Sequence, residues 1–418
     1  MPARLLSEDE PFFREWKRHH GPMVRSRQRA ALLAETVGID RDPAVPVIGV
    51  VGSKGKGTTV AAATQQLRRL GLNVGTVSSP PFITNLERIR FNGEPISLKD
   101  YTELGQVLSD AIQQLPPVEE TDGYLAPTGC FTLMGAHYLL ERGADVLVIE
   151  EGLGGATDEI SQFRLDTLVV TPVFLEHEGV IGDTIEEIAW NLVGAGDRRT
   201  ERVVTLEAQD PVAIRAIEVL LPQAHVLRVP SPEDLGFGPL TSANIAAGYT
   251  AALAAHHRAD TLEDLPALDL SGARHLQLPG RSSFLLHNGA PWFLDAAISR
   301  EGFQAALAAV SAHSDFRGAR YLVCLPDIKD ITRIIDVVDK DRTTLVRTHE
   351  DHLTFENYPE DWAQASFEDA VRDAETSGDP VVCLGTMSFA AEMAERMGLD
   401  VDRWWVEDPS AAETGVER

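Results

Sequence analysis

Short, wholly apolar runs alternate with amphipathic stretches along most of this chain, and that alternation leaves few folds open. Residues 45–52 (VPVIGVVG), 73–79 (NVGTVSS), 144–152 (ADVLVIEEG), 167–173 (TLVVTPV) and 202–208 (RVVTLEA) read as strands, with helical patterns such as 58–71 and 132–143 between them. Continuous Val/Ile runs suit strands covered on both faces, and a helix between successive strands lets them run parallel. The pattern restarts near residue 283, with strand candidates at 292–297, 320–326, 344–349 and 381–385 and a helix candidate at 302–313. A stretch rich in Leu, Asp and Gly (262–281) separates the two halves. At 418 residues the chain exceeds one ordinary core. The expectation is α/β: a domain over 1–278 with a central, mostly parallel sheet, and a smaller Rossmann-like α/β domain over 279–418.

Charge narrows the partners. With 64 acidic against 37 Lys and Arg residues, the formal net charge is -27. A field of that sign repels nucleic acid and anionic membrane, so neither is expected as a partner. It leaves a nucleotide open, because a phosphate site is made locally by backbone N–H groups and one or two cations. No apolar run is long enough to span a bilayer, and residues 1–13 lack a basic-then-apolar signal pattern. Cys130, Cys324 and Cys383 are scattered in apolar surroundings without metal-ligand spacing. Together these point to a cytoplasmic protein. The last residues, 408–418, read as a frayed acidic tail.

Between the strand at 45–52 and the helix that follows lies Gly52-Ser53-Lys54-Gly55-Lys56-Gly57-Thr58-Thr59. The strict Walker spacing is absent. The mechanics of a phosphate loop remain, because glycines let the backbone turn tightly and aim successive N–H groups at one anion. Lys56 is placed to reach the outer phosphates, Thr58 or Thr59 to offer a hydroxyl to Mg²⁺, and Lys54 reads as a solvated loop residue. Glu150 ends a buried strand, and ligands in open α/β sheets bind at the carboxyl ends of strands. Its hard oxygens suit magnesium.

The loop is similar to the GTNGKGST segment of the Mur ligase superfamily, in its folylpolyglutamate synthase-like branch. The likeness continues in order along the chain. SSPPFITNLERIRFNGEPIS (78–97) resembles that branch's TSPHL and NERI..NGEPI segments, and EEGLGG within 148–155 its VEVGLGG. Residues 177–196 resemble its DHxxxLGDTxExIAxEKAGI, and 240–253 its HQxxNAAxALAAL. LPGRSSFL (278–285), FLDAAISREG (293–302) and LPDIKD (325–330) resemble WPGRxE, LLDGAHNPxG and LxDKD. The resemblance implies an ATP-dependent ligase. A carboxylate attacks the γ-phosphate to give an acyl phosphate, and an amine then displaces phosphate to form an amide. ATP and one or two Mg²⁺ ions are the implied cofactors, and a small-molecule carboxylate and an amine the implied partners, with the protein a monomer or homodimer.

By the same resemblance, Gly52, Gly55, Lys56, Gly57, Thr58 and Thr59 hold the phosphates, and Asn244, Arg281 and Asp295 contact the rest of the nucleotide. Ser79, Glu150 and His177 bind metal, with Lys56 and His177 the catalytic pair. Arg281 also stands on its own chemistry, since a forked cation in a Pro-Gly-Arg turn between domains can clamp phosphate when a hinge closes.

The departures are specific. Leu192 stands where the branch has a metal-supporting lysine, and Glu151 where it has an apolar residue. GGRLDATN is replaced by GGATDEIS (154–161), read as shortened, DGAHN by DAAIS (295–299), and HQxxN by LTSAN. These cluster on substrate contacts while the loop, Glu150 and Arg281 persist. The reading is a ligase whose substrate is other than folate. The alternatives are a folylpolyglutamate or dihydrofolate synthase with drifted motifs, and a non-catalytic nucleotide-binding relic.

Overall fold

The computed structural model describes residues 6–21, 24–175, 177, 179–276, 278–327, 329, 331–348, 353–403 and 405. The tail at 408–418 and part of the 325–330 segment lie outside them. The strands are β1 (Val47–Val51), β2 (Val74–Val77), β3 (Ile89–Phe91), β4 (Glu94–Pro95), β5 (Val146–Glu150), β6 (Thr167–Val170), β7 (Arg202–Leu206), β8 (His225–Val229), β9 (Ser283–His287), β10 (Ala290–Asp295), β11 (Arg320–Cys324), β12 (Thr343–Arg347), β13 (Ala363–Ser366) and β14 (Val381–Gly385). The helices are α1 (Glu10–His19), α2 (Arg27–Val37), α3 (Lys56–Arg69), α4 (Leu98–Ile112), α5 (Pro127–Glu141), α6 (Ile185–Val193), α7 (Pro211–Leu220), α8 (Pro239–His257), α9 (Arg300–Ser311), α10 (Ile331–Ile335), α11 (Phe367–Ser377) and α12 (Met387–Arg396).

Among the described residues, one eight-stranded sheet runs β4-β3-β2-β5-β1-β6-β7-β8 and one six-stranded sheet runs β13-β12-β11-β14-β10-β9. Both are parallel except at β3 and β4 in the first and β9 in the second. The fold class is the one expected. Successive residues of β1 join opposite cores, as a period of two demands. Val47 and Val51 pack into one, and Ile48 and Val50 into the other, under α3 and α8. That explains why the strand is apolar throughout.

The pattern reading missed β3, β4, β8, β9 and β13. Two of the missed pairings carry a signal that was there to be read. β3 and β4 are joined through Asn92-Gly93 and β9 and β10 through Asn288-Gly289, all four residues with positive φ. Asn-Gly is the dipeptide that tight hairpin turns favour. β8 is an edge strand with an exposed pattern, so burial never selected an apolar run there.

α8 is alanine-rich and buried on all sides, because it lies between α3 and β6, β7 and β8. Gly248 sets its distance from α3: a Cβ there would stand 2.4 Å from the Thr59 carbonyl oxygen. The two sheets are tied through the loop after β2 and the C-terminal segment. Phe82 packs with Ala390, Ala391, Ala394 and Val401. Arg90 donates to the Gly93 and Asp402 carbonyls, both at 2.9 Å, and its guanidinium covers the Trp405 ring. Trp405 packs in the core shared with α3 and α8, so the end of the described chain returns to the first sheet.

Gly248→Val should therefore force α3 from α8. The expected outcome is a loss of about 1–3 kcal/mol, as for other overpacked cores, measured by urea unfolding followed by far-ultraviolet circular dichroism.

Candidate active site

The loops leaving β1, β2 and β5, the first turn of α8, the 278–281 turn, Met387 and Trp405 enclose a cavity of about 260 Å³. It lies between the two sheets, at the carboxyl ends of the parallel strands, where open α/β sheets collect ligands.

Two glycines of the loop are required by geometry. Gly52 has φ 134°, and a Cβ there would approach Thr171 Oγ1 to 2.2 Å. Gly55 has φ 97°, caps α3, and abuts Asn244, whose Nδ2 would be 2.2 Å from any Cβ. Lys56, Gly57 and Thr58 then form the first helical turn, whose amides have no intrahelical acceptor. All three line the cavity. A ring of N–H groups at a helix start is an anion site.

Glu150 sits at the end of β5, buried, and its Oε2 accepts from the Ser79 amide at 3.0 Å. Burial pushes its carboxyl up to about 7, against the opposing pull of Lys56, the Ser79 amide, Arg88 and Arg281. Ser79 Oγ accepts from Arg88 at 2.9 Å. Burial likewise lowers the Arg88 guanidinium to about 10. Glu87 takes the amides of Phe82, Ile83 and Thr84, which fixes the loop after β2. Lys56 Nζ lies 2.5 Å from the Gly52 carbonyl and 3.2 Å from Glu151 Oε1.

Of the residues expected to bind the nucleotide or metal, Gly55, Lys56, Gly57, Thr58, Ser79, Glu150, Asn244 and Arg281 line this cavity. Gly52 shapes the loop from behind. Thr59 does not line the cavity: it is fully buried, and its hydroxyl donates to the Asn244 carbonyl at 3.2 Å. Asp295 accepts from the Ser282 amide at 2.8 Å, ordering the turn that carries Arg281, and it too is outside the lining. His177 is exposed, with φ 49°, on the segment after β6, and is not in the lining. Arg88, Glu87, Arg90 and Trp405 were not selected from sequence. Arg88 and Arg90 lie inside the NLERIR run, but only the folded chain shows that they face Ser79 and Trp405.

These residues fit a magnesium-bound triphosphate. Asn244 Oδ1 is buried beside Gly55 and accepts no hydrogen bond among the described residues. Magnesium is commonly held by one or two carboxylates together with substrate phosphates, and Glu150 with the Ser79 and Thr58 hydroxyls meets that demand. No cluster of three His, Cys, Asp or Glu side chains that could hold a second ion occurs among the described residues.

No protein-family model matches the sequence. Curated relatives do: bovine mitochondrial folylpolyglutamate synthase is 30% identical over 295 residues, 62% of this chain and 50% of that protein. The dihydrofolate synthase/folylpolyglutamate synthase of Bacillus subtilis is 35% identical over 147 residues, 35% of this chain and 34% of that one. The chain thus spans about half the length, or less, of the curated relatives it matches. Among solved structures, Mycobacterium tuberculosis folylpolyglutamate synthase complexed with ADP superimposes with a TM-score of 0.78 at 18% identity, covering 94% of this chain and 100% of that one. The apo form of the L. casei enzyme gives 0.77 at 20% identity, covering 94% and 99%. The chain is a homologue of the folylpolyglutamate synthases. Its fold is that of the solved folylpolyglutamate synthases.

Against the folylpolyglutamate synthase motifs, the departures gain a physical meaning. Leu192 is fully buried in the core on α6, so the site has no cation there. GGATDEIS has as many residues as GGRLDATN, which corrects the expectation of a shortened segment. Asp158 within it accepts from the Gly152, Leu153 and Ile160 amides, and Arg25 reaches the Leu153 and Thr157 carbonyls. The segment is an ordered turn.

Because Glu150 is raised above its ordinary value of 4.5, the folded protein keeps a proton there that the unfolded chain has released. Stability from this group is complete below about 4.5 and is lost as pH rises through about 7. Glu150→Gln has no such loss. The stability of the variant relative to the parent should climb between pH 5 and 8, by on the order of 3 kcal/mol, in urea unfolding of the nucleotide-free proteins.

Proposed function

We propose that this protein is an ATP-dependent amide ligase of the folylpolyglutamate synthase type, joining an amino acid to a folate-class carboxylate with release of ADP and phosphate. The observation that carries the reading is the buried Glu150 carboxylate, facing an anion-ready helix start, with Lys56 and Arg281 on the same cavity. Such a site neutralises charge on a transferring phosphoryl group, and positioning plus electrostatics is most of what this chemistry needs from a protein. Magnesium, when bound, would be held by Glu150 and would screen the phosphate charge.

The folate class is supported by the relatives named above and by a solved neighbour described as an FPGS–AMPPCP–folate complex, with a TM-score of 0.71 at 20% identity. These favour the drifted folate synthase over the expectation of a different carboxylate. The ordered GGATDEIS turn fits the same reading, since a decayed substrate loop would not be expected to keep its amides capped by a buried Asp158. Three free, buried cysteines suit a reducing compartment. No helix among the described residues is long and apolar enough to cross a membrane.

The test is phosphate release by purified protein supplied with ATP, Mg²⁺, tetrahydrofolate and glutamate, with the product identified by mass. Amide formation with ADP is expected. AMP in place of ADP would overturn the reading, and phosphate release with other carboxylates alone would remove the folate assignment.

Lys56→Ala should lower turnover by on the order of 10²-fold or more, and should also lower the thermal stability of the nucleotide-free protein, because it leaves the buried Glu151 carboxylate without the ammonium 3.2 Å away. Thr58→Ala should weaken nucleotide binding. Thr59→Ala should act mainly on stability, because its hydroxyl is committed to α8.

A further inference from the structure

The lysine of the phosphate loop has an unusual neighbour. Glu151 stands at a position that is apolar in the motif VEVGLGG, directly after Glu150. Its side chain is 3% exposed, and its Oε1 lies 3.2 Å from Lys56 Nζ. The ammonium is therefore held between a carboxylate and the Gly52 carbonyl at 2.5 Å. Glu151 is not in the cavity lining, whereas Lys56 is. The countercharge lies behind the loop, and the cation it neutralises lies in front.

The charges around the cavity make this consequential. Lys54, Lys56, Arg90 and Arg281 line it on the positive side, and Glu87 and Glu150 on the negative side. A triphosphate arriving without a metal meets the Glu150 carboxylate and a lysine already paired with Glu151. Two like charges a few ångströms apart in a partly buried site repel strongly. Arriving with magnesium, the same triphosphate brings the cation that Glu150 attracts, and its reduced charge asks less of Lys56.

We propose that Glu151 restrains the Lys56 ammonium across the phosphate loop and so makes the site selective for the magnesium-bound form of the nucleotide. Glu151 is a positioning residue. It acts on the nucleotide only through Lys56. The inference rests on the nucleotide-site reading above and extends it to which ionic form is accepted.

The experiment is calorimetric binding of the β,γ-methylene analogue of ATP, once with excess Mg²⁺ and once with EDTA, to the parent, Glu151→Asp, Glu151→Gln and Glu151→Val. Circular dichroism and thermal unfolding check that each is folded, and the valine restores an apolar residue should glutamine fold poorly. The parent and Glu151→Asp should bind the metal-free analogue roughly tenfold or more weaker than the magnesium complex. Glu151→Gln and Glu151→Val should bind the metal-free form more tightly than the parent does, closing most of that gap. An equal gap in the parent and both neutral variants overturns the role of Glu151 and leaves the nucleotide site standing. Absence of binding by the parent even with Mg²⁺ overturns both.

Discussion

A carboxylate is buried where three loops converge, and the site is organised around the cost of placing it there. Glu150 ends the strand beside the phosphate-loop strand in the larger sheet. Its position follows from β5 being apolar up to its last residue, so that the first polar group lies at the sheet's carboxyl edge. Once there, it fixes the loop after β2 through the Ser79 amide, and Ser79 in turn receives Arg88. A buried charge without compensation is costly, and of the groups that compensate it, Lys56, Arg88 and Arg281, the first and last also line the cavity. The same electrostatic demand draws these three loops together around one carboxylate.

Packing at a distance sets the shape of that site. α8 reaches the phosphate loop through two close approaches, Gly55 against Asn244 and Gly248 against the Thr59 carbonyl. Small residues at the points of closest contact, Gly248 among them, let α3 lie so near. The sequence of α8 thus shapes the cavity as much as the core. It also accounts for the division of labour between the two threonines. Thr58 is turned to the cavity, and Thr59 one residue later is turned to α8, a separation that a helix imposes on neighbours.

The central strands were legible because burial on both faces leaves an unbroken apolar run, as in 47–51 and 146–150. Edge strands such as β8 were not, because exposure relaxes that pattern. The Asn-Gly hairpins are legible by turn chemistry and not by periodicity. At the site, Gly55, Lys56, Glu150 and Arg281 were accessible from residue type and context. Arg88 and Trp405 were not: a basic run and a tryptophan near the end of a chain acquire meaning only when strands β2 and β3 pair and the C-terminal segment crosses back to Arg90.

The departures from the folylpolyglutamate synthase motifs fall into two physical kinds. Leu192 and the DAAIS segment remove polar groups, and the chain absorbs the first by burying it in the core of α6. Glu151 adds a charge, and the chain answers it with the loop lysine 3.2 Å away. A removed group can be lost without penalty once its site is repacked. An added buried carboxylate is destabilising unless a partner holds it, and here that partner is Lys56, the lysine of the glycine loop that lines the cavity. Drift in a site with no remaining task would more readily produce losses of the first kind. The Glu151 charge is of the second kind, and its pairing with Lys56 couples the strand end after β5 to the glycine loop.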